Sequence, residues 1–242
     1  MSKAPLVPSL SNSRSSELMS PELYSLWAQS DRYHNSFLLK PDPILDAVQE
    51  HTKARGVDYE IAVSPAQGKF MNLLLLSIGA KRVLEVGSLG GYSAIWMARA
   101  LPEDGEVVAL ELEELHAKVI EENINSAGLS NKVRVVVGRA LPSLQAMPDS
   151  EPKFDFVFID ADKESNVDYF IQAKRLTRKG GIIMVDNVGR RGRLVDPENT
   201  ESSVEGTRAL LRYIKDDKDV EATTIHTVGE KGFDGFLYAF LK

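Results

Sequence analysis

The sequence predicts an α/β fold: an open, mostly parallel sheet with helices on both faces, preceded by extra N-terminal helices. Three observations predict it. From Lys81 onward, short apolar runs rich in β-formers alternate with helical stretches. Four of the predicted strands end in acids, at Glu85, Glu111, Asp160 and Asp186, the last followed by Asn187. The final stretch, "VEATTIHTVGEKGFDGFLYAFLK", reads as two strands around a turn at Gly229 to Gly232, an antiparallel pair for one edge of the sheet.

Each element has a local reason. Residues 1–20 are rich in Ser and Pro, lack the apolar region of a secretory signal, and read as a flexible tail. Residues 21–242 show no internal repeat or linker and read as one domain. "SPELYSLWAQSD" predicts a helix with Ser20 as N-cap and Pro21 at the first helical position. "DPILDAVQEHTKARG" repeats the device with Asp42 and Pro43 and stops at Gly56, and "SPAQGKFMNLLLLSIGA" does so from Ser64 to Gly79. Then "KRVLEVG", "GEVVALEL", "KVRVVVG", "FDFVFID" and "GIIMVDN" read as strands. Between them "GYSAIWMARAL", "EELHAKVIEENINSAG", "LPSLQAM" and "ESNVDYFIQAKRLTRKG" read as helices. A loop of Arg, Gly, Asp and Pro then leads to the helix "SVEGTRALLRYIKDD".

Composition narrows the function. The absence of cysteine excludes disulfides, thiolate metal sites and cysteine nucleophiles. A net charge of −6 argues against a nucleic-acid partner. The longest apolar stretch, "LLLLSIGA", is too short for a membrane span, so a cytoplasmic enzyme is expected. His34, His51, His116 and His226 have no ligand spacing and read as structural or surface residues. Trp27, Tyr33 and Phe37 could line a substrate or dimer surface, but core packing is the plainer reading.

In an open parallel sheet, ligands bind beyond the carboxyl ends of the strands, where these acids gather. A bare carboxylate cluster repels itself, so it calls for cationic or hydrogen-bonding partners. Gly87, Gly90 and Gly91 let a ligand approach the backbone after the first strand, and Glu111 can hold ribose hydroxyls after the second. The dinucleotide spacing is missing, with Leu89 out of pattern, and Glu85 suits a cationic amino group better than a pyrophosphate. A tight turn without ligand is the alternative. Asp160, Asp186 and Asn187 offer only oxygens, which selects a hard cation, Mg²⁺ first, with Mn²⁺ or Ca²⁺ as substitutes. Adjacent Asp186 and Asn187 can reach one ion only if the strand ends there. Taken alone, they would read as a cap and a turn.

"VLEVGSLGGYSAIWMARALPEDGEVVALEL", "FDFVFIDADKESN" and "GGIIMVDNV" resemble the cation-dependent, S-adenosylmethionine-dependent O-methyltransferases, the family of caffeoyl-coenzyme A and catechol O-methyltransferases. The resemblance implies a Rossmann-like seven-stranded sheet with its last strand antiparallel, and a homodimer. It implies that Glu85 meets the amino end of S-adenosylmethionine and that Gly87 lies beneath the cofactor. Tyr92 and Ser93 would help hold its carboxylate, Glu111 its ribose and Ala140 its adenine. Val63 would close over the methionine part. Asp160, also counted with the cofactor site, would bind metal with Asp186 and Asn187. Lys163 would be the general base, and Asp162 would face the substrate. "VGRRGRLVDPENTESS" departs from the family's tryptophan-containing loop, which speaks against a coenzyme A ester. Arg190, Arg191 and Arg193 could meet an anionic substrate or belong to a solvated loop. The expected reaction is methyl transfer to a catechol, flavonoid or phenylpropanoid with adjacent hydroxyls. An NAD-dependent oxidoreductase or a noncatalytic binding module on the same fold are the rival expectations.

Overall fold

The computed structural model describes residues 21–149 and 152–242. The expected tail, residues 1–20, and the Ser20 cap lie outside the described residues. One sheet contains β1 (Arg82–Val86), β2 (Glu106–Glu111), β3 (Val133–Val137), β4 (Phe154–Ile159), β5 (Thr177–Val185), β6 (Val220–Gly229) and β7 (Gly232–Leu241). Its seven strands run in the order β3-β2-β1-β4-β5-β7-β6. The first five are mutually parallel, and β7 pairs antiparallel with both β5 and β6. The expected antiparallel last strand is therefore present. The strand order reverses between β1 and β4, the place where open α/β sheets leave a crevice.

The helices are α1 (Pro21–Leu38), α2 (Pro43–Ala54), α3 (Pro65–Ile78), α4 (Tyr92–Ala98), α5 (Glu114–Ser126), α6 (Ala140–Ala146), α7 (Asn166–Leu176) and α8 (Ser202–Lys215). The expected caps form. Asp42 accepts from Leu45 N at 3.1 Å, Ser64 accepts from Gln67 N at 3.1 Å, and Gly79 closes α3 at φ 60°. Strand period divides the core in two. Val83, Val107, Ala109, Phe156, Phe158, Ile182 and Met184 face α2 to α5. Leu84, Val108, Leu110, Val157, Ile159, Ile183 and Val185 face α6 to α8. Each fully buried Phe, such as Phe156 or Phe158, contributes roughly 1.5–3 kcal/mol by leaving water. Among the described residues, no helix is long and apolar enough to cross a membrane.

Two expectations need correction. The helix expected to run to Gly180 ends at Leu176, and β5 begins at Thr177. Thr177 pairs with Phe154, then the register shifts before Ile182 meets Phe156, with Gly180 at φ 72° in the irregularity. Asp155 draws this segment into the sheet by accepting from Arg178 Nε at 2.5 Å while it also holds Lys81 N and Arg82 N. The aromatic residues of α1 are not core. Phe37 is 72% exposed and Tyr33 65%, and Ala28 is the one residue of this helix that is buried.

Candidate active site

The glycine turn between β1 and α4 is held tightly. A Cβ on Gly87, at φ 87°, would lie 2.3 Å from the Asp160 carbonyl oxygen, so only glycine lets this loop press on the end of β4. Asn123 of α5 donates to the Gly90 carbonyl at 2.8 Å and to Thr52 Oγ1 at 3.0 Å. His51 meets the Asn123 amide oxygen at 2.8 Å, which gives it a structural place in the clamp.

Beside the turn opens a cavity of about 800 Å³, lined among others by Val63, Gly87, Tyr92, Ser93, Glu111 and Ala140. Glu85 lies fully buried at the end of β1, accepting from Ser88 Oγ at 2.5 Å and from Ser93 Oγ. Burial pushes its carboxyl up to about 7. The two serines oppose the shift, and the charges of Asp160 and Glu111 add to it. Ser93, expected at the cofactor carboxylate, thus spends its hydroxyl on Glu85. Glu111 accepts from Ser88 N at 3.2 Å and Leu89 N at 2.8 Å on one oxygen, and from Leu112 N at 2.9 Å and Glu113 N at 3.1 Å on the other. These bonds fill the acceptor capacity of a carboxylate and tie the two loops together. A ribose bound at Glu111 would have to displace some of them. Ala140 opens α6, where first-turn N–H groups have no partner within the helix.

The acids after β4 each take a different partner. Lys163 is buried on a short turn, and its Nζ donates to Asp160 Oδ1 at 2.7 Å. Asp162 turns the other way and accepts from Tyr169 OH at 2.5 Å. Burial raises the Asp162 carboxyl, but hydrogen bonds from Ser165 and Tyr169 outweigh it and bring it below the usual range. The same contact and burial push Tyr169 up to about 12. Glu164 is held by Ser202 of α8. On the neighbouring strand, Asp186 is pushed up to about 7 by burial first, then by the charge of Asp160, with Lys163 opposing. Asn187 has φ 55°, so the strand ends there, as a shared ion would require. Among the described residues, no three His, Cys, Asp or Glu side chains are grouped to hold a metal by themselves. The set here is two carboxylates and an amide, whose all-oxygen chemistry and crowded negative charge fit a hard cation.

Several lining residues had no sequence signal. His116, 3.3 Å from Glu111, and Arg139 line the cavity without any motif. Tyr169 follows Asp162 by two helical turns, a spacing that could have flagged it. The side chains of Arg190 and Arg193 are engaged within the fold: Arg190 Nη2 donates to Ser203 Oγ at 3.2 Å, and Arg193 pairs with Glu201.

The comparisons agree with this build. A family model described as O-methyltransferase matches residues 36–234. A catechol O-methyltransferase from Mycobacterium tuberculosis is 43% identical over 88% of this chain and 94% of its own length. One from Niastella koreensis is 41% identical over 88% and 96%. Among solved structures, the O-methyltransferase from Bacillus cereus in complex with SAH superposes with a TM-score of 0.87 at 42% identity, covering 90% of this chain and all of that one. An O-methyltransferase of tomaymycin synthesis from Streptomyces achromogenes, in complex with SAM, gives 0.85 at 38% identity over 93% of this chain and 100% of that one. With nearly the whole chain matched at this identity, the chain belongs to the S-adenosylmethionine-dependent O-methyltransferases.

Proposed function

We propose that this enzyme methylates a hydroxyl of catechol-type phenolics, flavonoids or phenylpropanoids among them, with a divalent cation held by Asp160, Asp186 and Asn187. The observation that carries the reading is Lys163 Nζ lying 2.7 Å from Asp160 at the cavity wall, beside the acid and amide that end β5. Two relatives named catechol O-methyltransferase support the substrate class. A cation held there, Mg²⁺ first, would supply Lewis acidity that makes an acceptor hydroxyl easier to ionise.

The chain's own residues do the rest. Lys163 accepts the proton of the attacking hydroxyl as general base. The sulfonium donor would supply the methyl carbon to that oxygen, its sulfur departing as a neutral thioether as the carbon–sulfur bond breaks. Glu85 anchors the cofactor's ammonium, Glu111 its ribose, and Val63, Tyr92, Ser93 and Ala140 its remaining parts, so that oxygen, carbon and sulfur lie in line. Asp162 faces the acceptor with one carboxylate edge held by Tyr169. Residues 21–242 act as one methyltransferase domain in the cytoplasm, without nucleic acid. The exposed α1 aromatics offer a surface for a second copy of the chain. The test is a panel of catechols and single phenols with labelled methyl donor, with and without chelator. Transfer to vicinal diols alone, lost in chelator, is expected. Equal transfer to single phenols would end the catechol reading.

A further inference from the structure

Between Gly56, which ends α2, and the Ser64 cap of α3 runs a strap, residues 57–63. Its ends are anchored by burial of Val57 and Val63, but Ile61 in the middle is 66% exposed. Even so, Tyr59, Ile61, Ala62 and Val63 form one wall of the cavity. The strap's internal bonds are those of one turn: Asp58 accepts from Glu60 N at 3.2 Å, and Ala62 N donates to Tyr59 O at 3.1 Å. They fix its local shape, not its place over the cavity.

That place is set from the other end of the chain. Lys231, on the tip of the β6–β7 hairpin, donates from Nζ to Glu60 O at 2.9 Å and to Ala62 O at 2.7 Å. Among the described residues, these are the only hydrogen bonds that reach residues 58–63 from beyond the strap. The tip is itself held. Glu230 N donates to Asp31 Oδ2 at 3.1 Å, Tyr24 OH donates to Glu230 O at 3.3 Å, and the Tyr24 and Phe233 rings lie 5.2 Å apart. Among the described residues, Lys231 has no carboxylate within ion-pair distance, and partial burial pulls it below the usual lysine range, against the charges of Glu60 and Asp58. A cation that gives its donors to two carbonyls is arranged to hold backbone. Lys53 Nζ also lies 5.5 Å over the Tyr59 ring, and Ala62 and Val63 pack on the core, but the exposed middle of the strap has no hydrogen bond from outside it other than those of Lys231 among the described residues, so it is the part that their loss would free.

We propose that Lys231 is a positioning residue for the methyl donor: it latches the strap so that Ala62 and Val63 close on the cofactor, and its release opens the wall through which the spent cofactor leaves. The inference rests on use of S-adenosylmethionine, not on the catechol or cation readings, so its deciding measurements, binding and release of the cofactor, are made with neither acceptor nor metal present. Lys231→Met keeps the aliphatic stem and removes the donors, whereas Lys231→Arg keeps donors for both carbonyls. Calorimetry and stopped-flow displacement read the affinity and release of S-adenosylmethionine and S-adenosylhomocysteine, and melting curves read stability. Lys231→Met should bind both ligands on the order of tenfold more weakly, mainly through faster release. Lys231→Arg should restore most of the affinity. In turnover, KM for the donor should rise and KM for the acceptor should not. Wild-type affinity and release in Lys231→Met would overturn the latch, whatever the melting temperature. Equal weakening in both variants, with lower melting temperatures, would assign Lys231 to stability alone.

Discussion

Glu85 combines full burial with a carboxyl pushed up to about 7 from 4.5, so the ligand-free fold holds a proton there that the unfolded chain releases. The sign follows: stability is greatest below the unfolded value and falls as pH rises toward 7, by on the order of 3 kcal/mol for a shift of this size. Asp186, also raised to about 7, tilts stability the same way. Glu85→Gln should therefore lose much of the slope between the unfolded value of 4.5 and the folded value of about 7, and melt higher at the alkaline end. It should also bind S-adenosylmethionine more weakly, because an amide cannot pair with an ammonium. Melting curves with and without ligand check both, and an unchanged slope would place the titration elsewhere. Asp160 and Lys163 are separable in the same way. Asp160→Asn removes a charge from the oxygen set, so its loss of turnover should shrink as Mg²⁺ is raised. Lys163→Ala leaves that set alone, so Mg²⁺ should not help. Its defect, ~10²–10⁴-fold for a lost general base, should ease at high pH, where the acceptor ionises unaided. Near-normal turnover at neutral pH in Lys163→Ala would overturn its role as the base.

At the scale of elements, Lys163 is placed by a helix that the sequence did not connect to it. A Cβ on Gly206 of α8 would lie 2.1 Å from the Lys163 carbonyl oxygen, a backbone contact with nothing flexible to give way. Gly206→Ala must push α8 and the Lys163 turn apart. It should cost about 1–3 kcal/mol of stability and lower turnover on the order of a hundredfold, while donor affinity stays near that of the unchanged protein. Melting and steady-state kinetics read the two effects, and full turnover with lowered stability would show that the turn tolerates the shift. Local signals made most elements legible. Asp42-Pro43, Ser64-Pro65 and Gly79 marked helix ends because capping depends on neighbours in sequence. The end of α7 was not legible, because Thr177 and Arg178 are drawn into β5 by Phe154 and Asp155 of the adjacent strand β4, residues far away in sequence. The exposure of Tyr33 and Phe37 was missed because apolar residues at helical spacing look alike whether the partner is the core or another surface.

At the scale of the whole molecule, strand parity explains why one face collects the acids. Glu85, Glu111, Asp160 and Asp186 stand two residues beyond Val83, Ala109, Phe158 and Met184, all of which face α2 to α5. The period of two was readable in the sequence. The strand order that brings β1, β2, β4 and β5 side by side was implied only by family resemblance. That order also divides the rim. Glu111 and Ala140 line the cavity on the β1–β2 side, with Glu85 buried behind them, whereas Lys163 and Asn187 line it on the β4–β5 side, with Asp186 buried behind them, and the Asp160 carbonyl packs against Gly87 at the boundary. If the sides work as separate sites, removing metal should act on one alone. Chelator should abolish turnover, and Mg²⁺ should restore it. Donor affinity should change by no more than about threefold, as for groups that share few partners. Calorimetry in chelator and turnover in matched buffer make the comparison. Turnover that survives complete removal of metal would make the acidic rim a structural feature. Donor affinity that collapses with the metal would mean that Asp160 couples the two sides through the Gly87 contact, and that the cofactor is held by the whole rim.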